Sequence, residues 1–292
     1  MALAFALAVA LARRLVPDPW ATGGVLLVAL SPPALAAATT VAPQPIAAAL
    51  LAGAMLCALK VRERARLRYA YGGALMLAVL PWLDPVLTLV GIPVTVCLVR
   101  WILDERRRLV ALLAAEIMLG PLVFFLRFNE SFHGGPLPSA ARAGGAPGAE
   151  EYADRAIHLA GVWLDPVAGL LRWAPVLALA FAGGWLLWRS RRERLARVIP
   201  ERREAERAGG LLVAVVVVQW VVAAFATADL EGPWFAGLPM TAALPAAAAL
   251  VAWGLRRHPR AGAVLGAATL MLSGWVLADA WVGPAEGWTG LF

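Results

Sequence analysis

Three histidines, two cysteines and nineteen acidic residues are the whole supply of side chains for metal or acid–base chemistry in this 292-residue chain. They form no His-Glu-x-x-His helix, no paired His/Asp cluster and no nucleophile triad, so a self-contained hydrolase is unsupported and no metal site is expected. What stands out is a scatter of single polar residues in apolar surroundings. Glu130 and His133 precede a Gly-Gly-Pro turn, and Asp165 precedes Pro166. Arg172 is a lone cation at the start of an apolar stretch, and Gln44 follows Pro43. Each has a plain alternative: Arg172 as a snorkelling anchor, Asp165 as a turn cap, His133 as a loop residue without a role. Glu116 lies within an apolar run, between Ala115 and Ile117. A carboxylate at mid-span is expensive and raises a functional hypothesis by default, here ion or proton coupling. A protonated Glu hydrogen-bonded to a neighbouring helix explains it equally well.

The elements that must position these groups are membrane spans. Hydrophobic residues make up 61% of the chain, charged residues 15%, and the mean hydropathy is +0.74. These values lie outside the range of a soluble domain. Of 26 Lys and Arg, 22 fall in five clusters, at Arg13/Arg14, Lys60–Arg68, Arg100–Arg108, Arg189–Arg207 and Arg256–Arg260. The clusters follow every second hydrophobic stretch. Short Arg-rich loops stay cytoplasmic, so the alternation predicts both a polytopic topology and its orientation. It also accounts for the net charge of +7 without nucleic acid as a partner.

The predicted fold is an all-α transmembrane helix bundle forming one integral membrane domain over residues 1–292. It has about nine spans, near 20–38, 45–59, 69–83, 86–101, 109–127, 173–188, 209–227, 239–255 and 261–280, plus an N-terminal partial helix over 1–12. The twelve apolar residues before Arg13 make only ~18 Å of helix and read as the second half of a span. Tryptophans such as Trp20, Trp82, Trp101, Trp173 and Trp253 sit near span ends as interfacial anchors. Gly262 and Gly266 predict close helix packing on the last span. Cys57 and Cys97 read as small packing residues rather than a disulfide. Residues 128–172 form an outer loop whose second part, about 150–164, predicts an amphipathic interfacial helix. In it Tyr152, Ala156, Leu159 and Trp163 share the apolar face, and Glu150, Glu151, Asp154, Arg155 and His158 occupy the others. Residues 189–208 form a basic cytoplasmic loop.

Phe128-Asn129-Glu130-Ser131-Phe132-His133-Gly134-Gly135-Pro136 resembles the "FN…YGG…P" element of bacterial glycosyltransferases of the GT-C fold, which use polyprenyl-phosphate-linked sugars. Asp165-Pro166 through Gly169-Leu170-Leu171-Arg172-Trp173-Ala174-Pro175 resembles their "D…GLL…P" element. Ser31-Pro32-Pro33 followed by Thr39-Thr40-Val41-Ala42-Pro43 is similar to an earlier helix-to-loop segment of the same enzymes. The resemblance covers the C-terminal two-thirds or so of such an enzyme. It implies a bacterial plasma-membrane protein that takes a sugar from a polyprenyl-phosphate donor to an extracytoplasmic acceptor. It implies a phosphate-binding role for Arg172 and substrate contacts for Asp165, His133, Glu130 and Gln44. Catalytic residues are not assigned, because the family's acidic outer loop would precede Met1. No cofactor is evident, and a divalent metal enters by resemblance alone.

The chain departs from the family pattern at Gln44, where an acidic residue is usual, and at Leu238, where an arginine is usual. The expected function is therefore a truncated or degenerate transferase. The alternatives are a non-catalytic scaffold or lipid-binding subunit, with a partner membrane protein, and a transporter using Glu116.

Overall fold

The computed structural model describes residues 1–64, 66–135, 155–166, 169–192, 200–226 and 237–282. The described residues are helical throughout, in an all-α bundle. In chain order the helices are α1 (Ala2–Ala12), α2 (Trp20–Ala29), α3 (Pro32–Thr39), α4 (Pro43–Arg64), α5 (Leu67–Ala78), α6 (Leu80–Leu83) and α7 (Pro85–Asp104). Then come α8 (Arg108–His133), α9 (His158–Leu164), α10 (Leu170–Trp173), α11 (Ala178–Arg192), α12 (Pro200–Ala226), α13 (Leu244–Arg257) and α14 (Pro259–Val282). Short 3-10 turns at Arg155–Ile157, Pro175–Leu177 and Leu238–Ala243 lead into α9, α11 and α13.

Among the described residues six helices are long and apolar enough to cross a membrane, or seven if one bent pair is counted as a single span. The expectation of nine spans is corrected at three places. The 20–38 stretch is two helices, α2 and α3, bent by 63°. The bend follows from Pro32 and Pro33, which have no N–H to continue the ladder and push Ser31 into an extended conformation (φ −72°, ψ 151°). The 69–83 stretch is a helix of 12 residues, about 18 Å of rise, followed by a separate turn opened by Pro81. The 173–188 stretch is divided at Ala174-Pro175, which leaves a 13-residue apolar segment, Pro175–Leu187. In each case proline divides an apolar run that hydropathy alone reads as continuous.

The core is built around α13, whose residues Leu244 through Ala252 are all buried. A helix buried on every side must be apolar all round, and here alanines let its neighbours come close. A Cβ built on Gly24 of α2 would lie 2.5 Å from the Ala252 Cα. Gly183 of α11 lies against the Leu250 carbonyl in the same way, at 2.5 Å, and Gly254 lies against the Leu179 carbonyl. α1 is buried at Ala4, Phe5, Ala8, Leu11 and Ala12 and packs on α4 and α13. α8 and α14 lie at the periphery and turn Leu109, Leu112, Met271 and Trp275 outward. Such apolar outer surfaces suit a lipid environment, and the chain is a multi-pass membrane protein.

The breaks are stitched by one face of α14. Leu30 O, freed where α2 ends, accepts from the Ser273 hydroxyl at 2.6 Å. Val176 N–H, at the start of a 3-10 turn, donates to Thr269 Oγ1 at 3.1 Å. The same face carries Gly262 against Leu255 and Gly266 against Leu27, so the expected close packing of this glycine pair is present. At the start of α2 the Thr22 hydroxyl, its backbone N–H and Arg13 hold the Asp18 carboxyl below its ordinary pKa. This contribution is present at neutral pH and is lost as pH falls through that lowered value.

Two adjacent glycines test the α2–α13 contact. Gly24→Ala is expected to cost about 1–3 kcal/mol, because the obstruction is backbone that cannot move aside. Gly23→Ala meets nothing within 4 Å and is expected to be neutral or slightly stabilising. Thermal unfolding of the purified protein in detergent compares them, and equal losses would contradict the packing described. Ser273→Ala is expected to cost about 1 kcal/mol or more in the same assay by stranding Leu30 O.

Candidate functional site

The helices share a polarity. α4 carries Arg62 and Glu63 at its end, and α12 carries Glu204 and Arg207 in its opening turns. Arg14 pairs with Glu63, and Arg62 lies 3.8 Å from Asp104 at the end of α7. Arg256 and Arg257 close α13. The basic clusters are therefore gathered at one end of the bundle. The opposite end holds α3, the start of α4, the segments 155–166 and 169–177, the end of α12 and the turn into α13.

That far end is assembled around Gly237. Its φ of +90° lies in the left-handed region, and a Cβ there would meet Leu170 at 2.5 Å and Pro33 at 3.5 Å. One glycine thus brings α3, α10 and the turn Leu238–Ala243 together, and only glycine is unstrained there. Gln219 of α12 is buried and donates through Nε2 to the Pro239 carbonyl. Trp220 Nε1 donates to the Leu159 carbonyl at 2.7 Å, docking α9 on α12. Trp163, Phe181 and Trp220 form a ring cluster with centroids 4.6, 6.0 and 6.1 Å apart.

Arg155 was expected on a polar face of the 150–164 helix, with Ala156 on the apolar one. The structure reverses this: Ala156 is exposed, while Arg155 is buried and donates from Nη1 to the Phe225 carbonyl at 2.8 Å. A guanidinium on the last carbonyls of α12 satisfies a helix terminus and complements its dipole. Trp163 is buried as expected. The proposed helix begins at residue 158, after a 3-10 turn, and residues 150–154 lie outside those described.

Among the described residues, Gln44 Oε1, Thr88 Oγ1, His158 Nδ1, Trp163 Nε1, Gln219 Oε1 and Trp253 Nε1 are buried without a hydrogen-bond partner, and Gln44, His158, Trp163 and Gln219 belong to the elements of this end. Gln44 belongs to α4, which packs against the turn Leu238–Ala243.

The sequence-derived residues fall into two groups. Asp165 and Arg172 flank one chain reversal: Asp165 caps α9, its carbonyl accepts from Gly169 N at 3.0 Å, and α10 follows. The Arg172 guanidinium is exposed and lies 5.2 Å over the Trp173 ring. Glu130 and His133 lie instead on the last turns of α8, which packs chiefly on α5, α6 and α7. Glu130 pairs with Arg127 at 2.9 Å, and His133 is exposed before the left-handed Gly134. The nearby rings of Trp82, Phe124, Phe125 and Phe128 tie α6 to α8. Glu116 is exposed on the outer face of α8 and does not line a path through the bundle.

Cys57 and Cys97 are free, with Gly73 packed close to Cys57 as a small-residue contact. Among the described residues no three His, Cys, Asp or Glu gather to hold a metal ion. Asp229 and Glu231 lie outside the described residues. No family model, no curated protein and no solved structure matches this chain.

Gln219, Trp220 and Arg155 are the far-end residues that sequence reasoning missed. The first two sit in the uncharged run 208–228, and a polar residue there was the available signal. Trp220→Phe keeps the ring cluster and removes the bond to Leu159 O. It is expected to speed amide exchange across 155–164 while leaving α13 protected, as hydrogen-exchange mass spectrometry would show. Unchanged protection of 155–164 would contradict this docking.

Proposed function

We propose that the chain is a bacterial plasma-membrane protein of the GT-C glycosyltransferase type. On this reading it holds a polyprenyl-phosphate-linked sugar at the end opposite its basic segments. Those segments lie in the cytoplasm, where short Arg-rich loops are retained, and the far end faces outward. The observation that carries the reading is the gathering of broken backbone, at 30–45, 155–166, 169–177 and 237–243, at that single end. Non-helical backbone at membrane depth is tolerated where it is buried or lines a cavity. A lipid-borne donor presents its phosphate at that level.

Arg172 supplies the cation for the phosphate, and stacking on Trp173 limits the positions its guanidinium can take. Gln44, His158 and Gln219 offer unpaired atoms for sugar hydroxyls. Transfer to an acceptor hydroxyl also requires a group to take its proton. Glu130 is paired with Arg127, and Asp84 caps α7 by accepting from Val86 N at 2.9 Å. The described residues offer no metal-ligating set, so no step is routed through a divalent ion. Gln44, placed where the family has an acid, favours a second reading in which the chain binds the lipid-linked sugar as a non-catalytic subunit.

A photoreactive polyprenyl-phosphate probe tests the site. Labelling is expected in 155–177 or 237–243, competed by polyprenyl phosphate and reduced about five- to tenfold by Arg172→Ala, the loss a single charged contact gives. Labelling no stronger than with the corresponding polyprenol would sink the proposal. Release of polyprenyl phosphate from a sugar-loaded donor separates enzyme from binding subunit. In a Cys57→Ala/Cys97→Ala background, Val41→Cys should react with an impermeant maleimide in intact cells and Arg256→Cys should not. The reverse pattern would invert the topology.

A further inference from the structure

The basic end holds a cavity of about 260 Å³ between α1, α4, α7 and α12, quite apart from the far-end site. Its charged lining is Arg13, Arg14, Arg62 and Arg207 with Glu63 and Glu204, and Asp18 and Asp104 approach two of these arginines from beside it. Trp101 and Leu59 supply an apolar wall. We propose that this cavity binds a phosphate ester by its phosphoryl group.

The chemistry of the lining supports an anion of that kind. All four cations are arginines, whose planar forks suit the oxygens of a phosphoryl group better than a point charge does. Arg14 and Arg62 have carboxylate neighbours in Glu63 and Asp104, but the latter pair is loose at 3.8 Å. Arg13 engages Asp18 through Nε at 2.8 Å, and its terminal N–H groups remain available. A guanidinium has five donors, so one carboxylate partner does not saturate it. The arginines also come from three separate elements, so a shared anion would tie those elements together.

The volume suits a headgroup rather than a drug-sized molecule, for which pockets usually start near 300 Å³. The position, where helix ends meet Trp101, allows the phosphate to arrive on a phospholipid or as a soluble ester. Either source presents the same group.

Thermal unfolding of the full chain in neutral detergent micelles tests the proposal, with three additions. These are dioleoylphosphatidylglycerol, dioleoylphosphatidylcholine, and glycerol 3-phosphate at millimolar concentration. A Tm rise with phosphatidylglycerol but not phosphatidylcholine or glycerol 3-phosphate assigns a lipid headgroup. A rise with glycerol 3-phosphate assigns a soluble ester. In either case Arg14→Gln/Arg62→Gln is expected to weaken the half-saturating concentration at least tenfold. Arg13→Gln/Arg62→Gln serves if the first pair fails to fold. Arg256→Gln/Arg260→Gln, which removes charge at the same end but outside the cavity, should leave the titration unchanged. No Tm rise with either phosphate source overturns the proposal, as does an equal loss in the Arg256/Arg260 variant, which would mark a diffuse surface effect.

Discussion

Inside a bilayer a backbone carbonyl without a partner costs roughly several kcal/mol, and Leu30 O is where this chain meets that cost. Pro32 and Pro33 end α2 within the apolar zone, so the last carbonyls of the helix lose their ladder partners. Ser273 reaches across from the other end of the sequence to pair with one of them. One turn earlier on the same helix, Thr269 accepts from Val176 N at the second break. α14 contributes little to the core by area, since most of its surface points outward. Its structural role is polar. It supplies the hydroxyls without which neither break could be held at that depth.

The glycines of the bundle follow from the same geometry. Ser273 can reach Leu30 only if α14 lies against α2, and Gly266 allows that by meeting Leu27 without a side chain of its own. α2 in turn lies on α13 through Gly24, and α11 lies on α13 through Gly183 and Gly254. Small residues thus set the distances, hydroxyls satisfy the backbone that those distances expose, and the breaks then collect at one end. The turn at Gly237 completes the arrangement by fixing α3 and α10 against the entry to α13. The far end is irregular because proline and glycine interrupt helices there, and it stays ordered because α14 and Gly237 tie the interruptions together.

The arginine pattern made the polarity of the bundle legible from sequence, because clusters spaced two hydrophobic stretches apart must return to one end. The apolar parts of the long helices were legible too, as the expected spans 86–101, 109–127 and 209–227, whereas the charged opening turns of α12 at 200–208 were read as loop. The span count was not legible. Hydropathy averages over proline, and the consequences of Pro32, Pro81 and Pro175 depend on which neighbour can satisfy the freed backbone. At the site, Asp165 and Arg172 are only seven residues apart in the chain and fall near one another for that reason. Glu130 and His133 were not brought to it, because contacts between α8 and α9 depend on packing rather than on sequence distance. Arg155 misled for a related reason. Helical periodicity assigned it to a solvated face, yet its partner is a carbonyl 70 residues away.

The two ends of the molecule show different uses of polarity in the same bundle. At the basic end charge is abundant and partly self-compensated, with Asp18, Glu63, Asp104 and Glu204 interleaved among the arginines. Those arginines serve orientation during insertion and helix attachment afterwards, since acidic residues weaken repulsion without cancelling the topological signal. At the far end, among the described residues, neutral groups do much of the hydrogen bonding to buried backbone, as Gln219, Trp220, Thr269 and Ser273 show. Glu116 fits neither pattern. It faces away from the bundle, in the stretch of α8 from Leu109 to Phe124 whose other exposed residues are apolar or glycine. A carboxylate there is a feature that the packing of the described residues does not explain.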